Sequence, residues 1–263
     1  MANWSPLTDE PTDTSHLTFD ERMSLFNKNI KSHNNIVFFG GAGVSTASGI
    51  PDFRSKDGLY NQHDVKFDGY EPEYLLSREC LYHNPTIFYE FYRQKLDCRR
   101  TQPNITHFKL AEMEAAGKLD CVVTQNIDGL HQKAGSRKVL ELHGSVLRNH
   151  CTRCGQFYGV ERIVNSRGVP RCSCGGIIKP DVVLYEESLP EQTVEQAVRA
   201  IAAADVLLIG GTSLTVYPAC NLLRYFNGEH LVVLNRDATQ IDEQADLCIR
   251  DKIGTVLSQI VLP

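Results

Sequence analysis

A short apolar run, Asn35-Ile-Val-Phe-Phe39, leads directly into Gly41-Ala-Gly-Val-Ser-Thr-Ala-Ser-Gly-Ile-Pro-Asp-Phe-Arg54. The run reads as a buried strand. Glycines at its end, Gly41 and Gly43, let backbone N–H groups come close to a phosphate. A helix starting just beyond them, near Thr46, would aim its positive end at the same point. The third glycine of the dinucleotide fingerprint is missing, because Thr46 stands in its place. Taken alone, the string implies a nucleotide site at the end of a strand and no more.

The rest of the chain supplies a scaffold for such a strand. Leu119 to Thr124, Val182 to Tyr185, Asp205 to Gly210, Leu231 to Leu234 and Asp246 to Ile249 also read as strands. Helical patterns lie between them: from the capping box Thr18-x-x-Glu21 to Ser32, then Pro85 to Leu96, Thr106 to Ala116, Glu191 to Ala203, and from Ile253. This alternation predicts an α/β fold, a Rossmann-like doubly wound parallel sheet covered on both faces. Ligands of such sheets sit at the C-terminal strand ends. The glycine loop, Thr124-Gln-Asn126, Gly211-Thr-Ser213 and Asn235 all fall at that position. The 263 residues suit one main domain with inserts. We expect a loose arm over 1–17, the sheet domain over 18–149 and 181–263 with a helical/loop insert at about 55–105, and a small module over 150–180. The aromatics of the 55–105 insert are expected to be core and lid packing.

Cysteine spacing defines the small module. Cys151-x2-Cys154, then seventeen residues, then Cys172-x-Cys174 fits a tetrahedral zinc site of four thiolates. With every coordination position filled by sulfur, the ion would be structural. Gly155 and Gly175 follow the two pairs, as tight metal-pinching turns require. The segment has too few apolar residues to form its own core, so the metal must hold it. Its arginines would also suit nucleic acid, but a solvated basic face is the simpler reading. The other five cysteines, Cys80, Cys98, Cys121, Cys220 and Cys248, read as free thiols of a reducing, cytoplasmic setting. Net charge is −5, and no run of five like charges occurs. No specific nucleic acid and no membrane partner are expected, and no signal peptide or bilayer-long apolar stretch is read.

Two polar strings supply chemistry. Thr124-Gln-Asn-Ile-Asp-Gly-Leu-His131 can offer Gln125, Asn126 and Asp128 to ribose hydroxyls or a carboxamide, or can be a turn with a cap. Glu141-Leu-His-Gly-Ser145 places His143 at the seam between sheet domain and metal module, where ligands often bind. A neutral imidazole there can act as a general base near pH 7. Composition does not separate His143 from its rival His131. Thr212 and Ser213 can donate to phosphate or ribose, and Asn235 stands where a strand-end residue reads an adenosine ribose.

Together these strings closely resemble the sirtuin family of NAD-dependent protein lysine deacylases. The resemblance rests on Gly41–Arg54, Thr124–His131, His143-Gly144, the four paired cysteines and Gly211–Ser213, in that order, and runs from about residue 20 to the end. It implies a Rossmann-like NAD domain, a small zinc domain, and an acyl-lysine entering between them. Ala42, Thr46, Phe53 and Arg54 would then contact NAD around its phosphates and ribose. Ile50, Asp52, Asn126, Ile127 and Asp128 would line the nicotinamide and its ribose. His143 would be the general base, with Asn126 and Asp128 completing the catalytic set, and the products would be nicotinamide, free lysine and O-acyl-ADP-ribose. Lys252 and Ile253 stand by position near the adenine. The peptide would add as a strand between Val183-Leu-Tyr185 and Leu214-Thr-Val216. Mono-ADP-ribosyl transfer, or a non-catalytic NAD sensor, would use the same pocket, but the intact Gln125, Asn126, Asp128 and His143 set favours deacylation. The chain departs from the family pattern at Gly40, usually Ser or Thr, and at Glu186, usually Gly. The family's desuccinylating branch has Tyr and, three residues on, Arg. Here Tyr89 is followed by Tyr92, which predicts preference for acetyl or another neutral acyl group.

Overall fold

Every residue of the strand Ile36–Gly40 (β1) is buried, as expected of a central parallel strand covered on both faces. The structure, a computed structural model, describes residues 14, 16–53, 58–59, 67 and 69–262. After β1 come Leu119–Thr124 (β2), Val139–Glu141 (β3), Gly144–Cys151 (β4), Phe157–Gly159 (β5), Ile178–Val182 (β6), Val206–Gly210 (β7), His230–Leu234 (β8) and Leu247–Ile249 (β9). Six of these form one sheet in the order β3-β2-β1-β7-β8-β9, and every pairing in it is parallel. This is the doubly wound order, in which the winding reverses between β1 and β7. The other three form a separate antiparallel sheet, β5-β4-β6.

Period-2 alternation sends the side chains of the parallel strands into two cores. Ile36, Phe38, Val122, Leu208 and Val232 pack with Phe26, Ile30, Leu110, Met113, Val256 and Leu257 from three helices, Phe19–Ser32, Ile105–Ala115 and Ile253–Ser258. On the opposite face Val37, Phe39, Val123, Leu207, Ile209 and Val233 meet Ala197 and Ile201 of the helix Glu191–Ala203, with Leu222, Leu223 and Phe226. Burying each large side chain contributes about 1.5–3 kcal/mol, so strand direction and register are strongly set by these two faces. Thr18 caps the first helix as expected: its Oγ1 accepts from Glu21 N, and Glu21 Oε2 accepts from Thr18 N. A second capping box went unread in the sequence. Asn104 Oδ1 accepts from Thr106 N, and the His107 ring accepts from Asn104 N.

Most described aromatics of the insert pack as core, while Tyr70 and Tyr82 are exposed. Phe88, Tyr89 and Tyr92 of the helix Pro85–Lys95 are buried against Val146, Ile178 and Val182 of the small sheet. Three expectations change. The strand expected over Val182–Tyr185 is instead β6, Ile178–Val182, and Tyr185 forms only an isolated bridge to Ser77. The small sheet runs from Gly144 to Val182, beyond both ends of the expected 150–180. The glycine loop is followed by two 3-10 turns, Ala42–Val44 and Thr46–Ser48, and not by an α-helix. Gly49 at φ +87° and Pro51 stop helical propagation at that point. Residues 1–13, 15, 54–57, 60–66, 68 and 263, which include most of the expected arm and Arg54, lie outside the described residues.

Candidate active site

The C-terminal ends of the six parallel strands stand in register. Glu141 pairs with Thr124, Thr124 with Gly40, Gly40 with Gly210, Gly210 with Leu234, and Leu234 with Ile249. The glycine loop, Gln125-Asn126, His143, Gly211–Ser213, Asn235 and Lys252-Ile253 therefore leave the sheet along one edge. That edge contains the switch point, where ligands of doubly wound sheets bind.

At the switch point two backbones touch. Gly43 N donates to Gly211 O at 2.8 Å. A Cβ on Gly43 would lie 2.9 Å from both Cα and O of Gly211. The amide of Gly43, expected to face a phosphate, is thus engaged across the crevice, and glycine is demanded there by the close approach of two loops. Gly40 has a related cause: a Cβ on it would meet Phe38 Cε1 at 2.5 Å. The glycine that departs from the family pattern therefore follows from the phenylalanine two residues before it.

A polar network joins the glycine loop to the loop after β2. Ser45 Oγ donates to Asp128 Oδ2 at 2.6 Å and accepts from Asn126 Nδ2 at 3.1 Å. Asp128 Oδ1 accepts from Leu130 N, closing the turn at Gly129. Asn104 Nδ2 donates to Val44 O and Ser48 Oγ, holding the same loop from its other side. Asn126 and Asp128 are each 9% exposed, so their polar atoms are rigidly placed at the crevice wall. Ser45 and Asn104, both absent from the sequence reading, are the positioning partners. The place of Ser45 within the glycine string was the available signal, but only contact across the fold gives it meaning.

The two candidate histidines have different environments. His131 is 1% exposed, packed 4.8 Å from the His107 ring and 6.4 Å from Phe38, and neither ring nitrogen has a hydrogen-bond partner. Burial pushes its pKa down to about 3. His143 is half-buried, between β3 and β4. Its Nδ1 lies 2.9 Å from Gln125 O. A carbonyl only accepts, so Nδ1 carries the proton and the neutral ring keeps its lone pair on Nε2. Burial lowers the pKa of His143 below 6.5, partly opposed by the Gln125 bond. His143 is thus oriented and neutral near pH 7, while His131 is a core residue.

Beyond β7, Gln125 Nε2 donates to Thr212 Oγ1 at 3.1 Å. Asn235 uses both ends of its amide on Thr212, accepting from Thr212 N and donating to Thr212 O. Asn235, expected to read a ribose, clamps the Gly211–Ser213 loop. Ser213 Oγ pairs with Thr215 Oγ1. Ile253 points its side chain into the core, and Lys252 is exposed at the last loop. Phe53 packs with Leu59, Phe67 and Phe91 beside the crevice. Ile50 and Asp52 follow the second 3-10 turn. Ile127 O accepts from Val146 N, stitching this loop to β4.

The segment expected to pair with peptide is already engaged. Val183 N donates to His143 O, Leu184 N to Glu187 Oε2, and Tyr185 N to Leu76 O. A docking strand cannot take its bonds from these three amides. Across the crevice, Leu214 is buried at φ +56° and Val216 O accepts from Cys220 N. Glu186 has φ +74°, a region that non-glycine residues rarely occupy. Its Oε2 accepts from Glu79 N, which supports this conformation and explains how Glu can stand at a glycine position.

In the small lobe, the sulfur atoms of Cys151, Cys154, Cys172 and Cys174 lie within 4.8 Å of one another. Cys151 Sγ is 3.4 Å from Cys174 Sγ, and Cys154 Sγ is 3.6 Å from Cys172 Sγ, far beyond disulfide length. A tetrahedral ion with bonds of about 2.3 Å separates its sulfurs by roughly 3.8 Å, so the set fits zinc. Gly155 and Gly175 both have positive φ, and their amides close turns on Cys151 O and Cys172 O. Tyr158 Oη donates to Cys172 Sγ and draws this thiol down to about 5, toward the thiolate that a metal needs. Arg148 pairs with Glu141 and Asp181, and Arg153, Arg162 and Arg171 donate to backbone carbonyls of the same lobe. The scattered cysteines Cys80, Cys98, Cys121, Cys220 and Cys248 are all free, and all are buried or half-buried. Among the described residues no helix is long and apolar enough to cross a membrane.

Residues 41–218 match the family model described as the Sir2 family. A protein of Cutibacterium acnes named NAD-dependent protein deacetylase is 54% identical over 232 residues, covering 88% of this chain and 94% of that one. A protein of the same name from Clostridium perfringens is 53% identical, with 92% of this chain and 99% of its own length aligned. Among solved structures, a Sir2 variant with deacetylated p53 peptide and 3'-O-acetyl-ADP-ribose superimposes with a TM-score of 0.83. It is 33% identical, and the match covers 90% of this chain and 96% of that one.

Proposed function

The chain belongs to the Sir2 family and acts as an NAD-dependent protein deacetylase; on that premise we propose that His143 is its general base and that the crevice between the two sheets holds NAD and an acyl-lysine together. When bound, NAD would supply the ribose carbon that receives the acyl oxygen and the nicotinamide that leaves; with one water consumed, the products are free lysine, nicotinamide and O-acyl-ADP-ribose. Gly41, Ala42, Gly43, Thr46 and the Gly211–Ser213 loop form the floor on which its phosphates and ribose rest. Ile50, Asp52, Phe53, Asn126, Ile127 and Asp128 line the end where nicotinamide departs, with Asn126 and Asp128 as polar contacts. Phe53 excludes water from the reacting carbon. His143 takes a ribose hydroxyl proton on Nε2. Gln125 O holds the opposite nitrogen and keeps that lone pair aimed into the crevice.

The division of the chain into an NAD lobe and a zinc lobe follows the two sheets, Gly144–Val182 forming the smaller. Cys151, Cys154, Cys172 and Cys174 hold one structural zinc, whose four thiolates leave no position for substrate. Peptide enters along Val183–Tyr185 and Leu214–Val216. Because the amides on the first side have partners, recognition there comes from side chains such as Tyr185. A cytoplasmic setting agrees with the free scattered thiols.

The observation that carries the assignment of the base is the bond from His143 Nδ1 to Gln125 O. The test is turnover of an acetyl-lysine peptide with and without NAD, reading nicotinamide and O-acetyl-ADP-ribose by mass. His143→Ala should keep its fold and lose about 10²–10⁴ in turnover, the range for removal of a general base. A variant that kept wild-type turnover would remove His143 from this role.

A further inference from the structure

At the opposite edge of the parallel sheet, three side chains from two separate parts of the sequence converge. His33 is the C-cap of the first helix, His230 opens β8, and Glu229 immediately precedes it. The nitrogen and oxygen ligand atoms of the three lie within 4.8 Å of one another. Five residues of strand, roughly 13 Å at a strand's usual rise, separate His230 from the switch-point edge. The cluster is therefore distinct from the crevice and from the cysteine lobe.

The orientation of His33 is the informative detail. Its Nδ1 lies 2.9 Å from Asn29 O. A carbonyl cannot donate, so Nδ1 bears the proton. Nε2 then points at the Glu229 carboxylate, 3.2 Å away. In the neutral ring this sets a lone pair against an anionic oxygen, an arrangement that requires a cation between them or a proton on Nε2. A ring nitrogen tied to a backbone carbonyl while its partner faces outward is also how metal-ligating histidines are oriented. His230 adds what an ion pair alone would not need. Its ring lies edge-on to His33 with centroids 5.2 Å apart. Asp205 O accepts from the amides of both Glu229 and His230, so the pair is anchored to the start of β7. The His33 side chain is only 13% exposed, while Glu229 is 70% exposed and free to adjust. A tetrahedral ion with bonds of about 2.0–2.1 Å spaces its donors by roughly 3.3 Å, which the His33–Glu229 pair already matches. Lys118, the nearby cation, is occupied by Lys31 O, His33 O and Asn34 Oδ1.

We propose that His33, Glu229 and His230 form a second metal site, for a divalent transition ion of the zinc type. Two imidazoles and one carboxylate suit zinc and its borderline-soft neighbours better than magnesium or calcium, and three protein ligands leave a position for water. The ion would pin the end of the first helix to the start of β8.

The test uses untagged full-length protein with its cysteine site already loaded with zinc. Equilibrium dialysis against micromolar free zinc, followed by elemental analysis, should find one zinc per chain beyond that held by the cysteines. Glu229→Gln and His230→Ala should each weaken this extra binding by more than about tenfold while acetyl-peptide turnover is unchanged. Absence of the extra zinc in the wild type, or its undiminished binding in both variants, overturns the proposal. If His230→Ala fails to fold, the exposed Glu229→Gln decides alone.

Discussion

Two buried imidazoles make the stability of this protein depend on mild acid in a way that one substitution can isolate. His131 and His107 are 1% and 0% exposed, and burial pushes their pKa values down to about 3 and about 4 from 6.5. Because the folded values lie below the unfolded one, the unfolded chain takes up protons first as pH falls. The contribution of each neutral ring is thus complete above pH 6.5 and is lost progressively between there and its folded value. At pH 5 each histidine stands about 1.5 pH units below its unfolded pKa. At about 1.4 kcal/mol per unit, that is a loss of about 2 kcal/mol each. His131→Leu removes one of the two and discards two ring nitrogens that have no partner. Urea unfolding followed by far-ultraviolet circular dichroism, at pH 7.5 and pH 5.0, gives the stability change for wild type and variant. Exposed groups and the cysteine lobe titrate alike in both proteins and cancel in the difference. The variant should lose about 2 kcal/mol less than the wild type on this acid step. Equal losses in both, within about 0.5 kcal/mol, would refute the reasoning.

The pH dependence of activity should report a different histidine. Burial lowers His143 below 6.5, so kcat/KM should fall only on the acid side, with an apparent pKa under 6.5, and stay level through neutrality. An acid limb centred above 6.5 would count against it. Gly40→Ser should destabilise by about 1–3 kcal/mol, because its Cβ would crowd Phe38. Most of that penalty should vanish in a Phe38→Leu background, as a double-mutant cycle by urea unfolding would show. Acetyl-lysine peptides should turn over faster than succinyl-lysine peptides. Tyr92 is buried where the desuccinylating pattern has Arg, and Tyr89 gives its hydroxyl to Ile178 O. Faster succinyl removal in a side-by-side kinetic assay would reverse that reading.

Much of the architecture could be read from local pattern. Alternation placed β2 and the helix Glu191–Ala203 at their observed bounds, and Thr18-x-x-Glu21 marked a real cap, because periodicity and capping act over a few neighbouring residues. The cysteine lobe was equally legible, since metal geometry restricts the spacing of ligands along a chain. Reading failed where the deciding partner is distant in sequence. The helix expected after the glycine loop gives way to 3-10 turns that Asn104 holds from sixty residues away. The strand expected through Tyr185 ends at Val182, because Leu76 and Arg78 take up the Tyr185 backbone.

By itself, then, the order of residues determined a doubly wound sheet, a thiolate-held lobe and a row of polar loops on one edge, all consequences of short-range period and spacing. The family resemblance already pointed to His143, and the tertiary structure supplied the physical contrast between the two histidines. It buried His131 beside His107 and Phe38, and it hung His143 from Gln125 O at the seam between the sheets. It also turned Asn235 inward onto Thr212 and set Gly43 against Gly211. Desolvation and hydrogen-bond partnership depend on which atoms meet across the fold, and that is fixed by packing between segments that are not sequence neighbours.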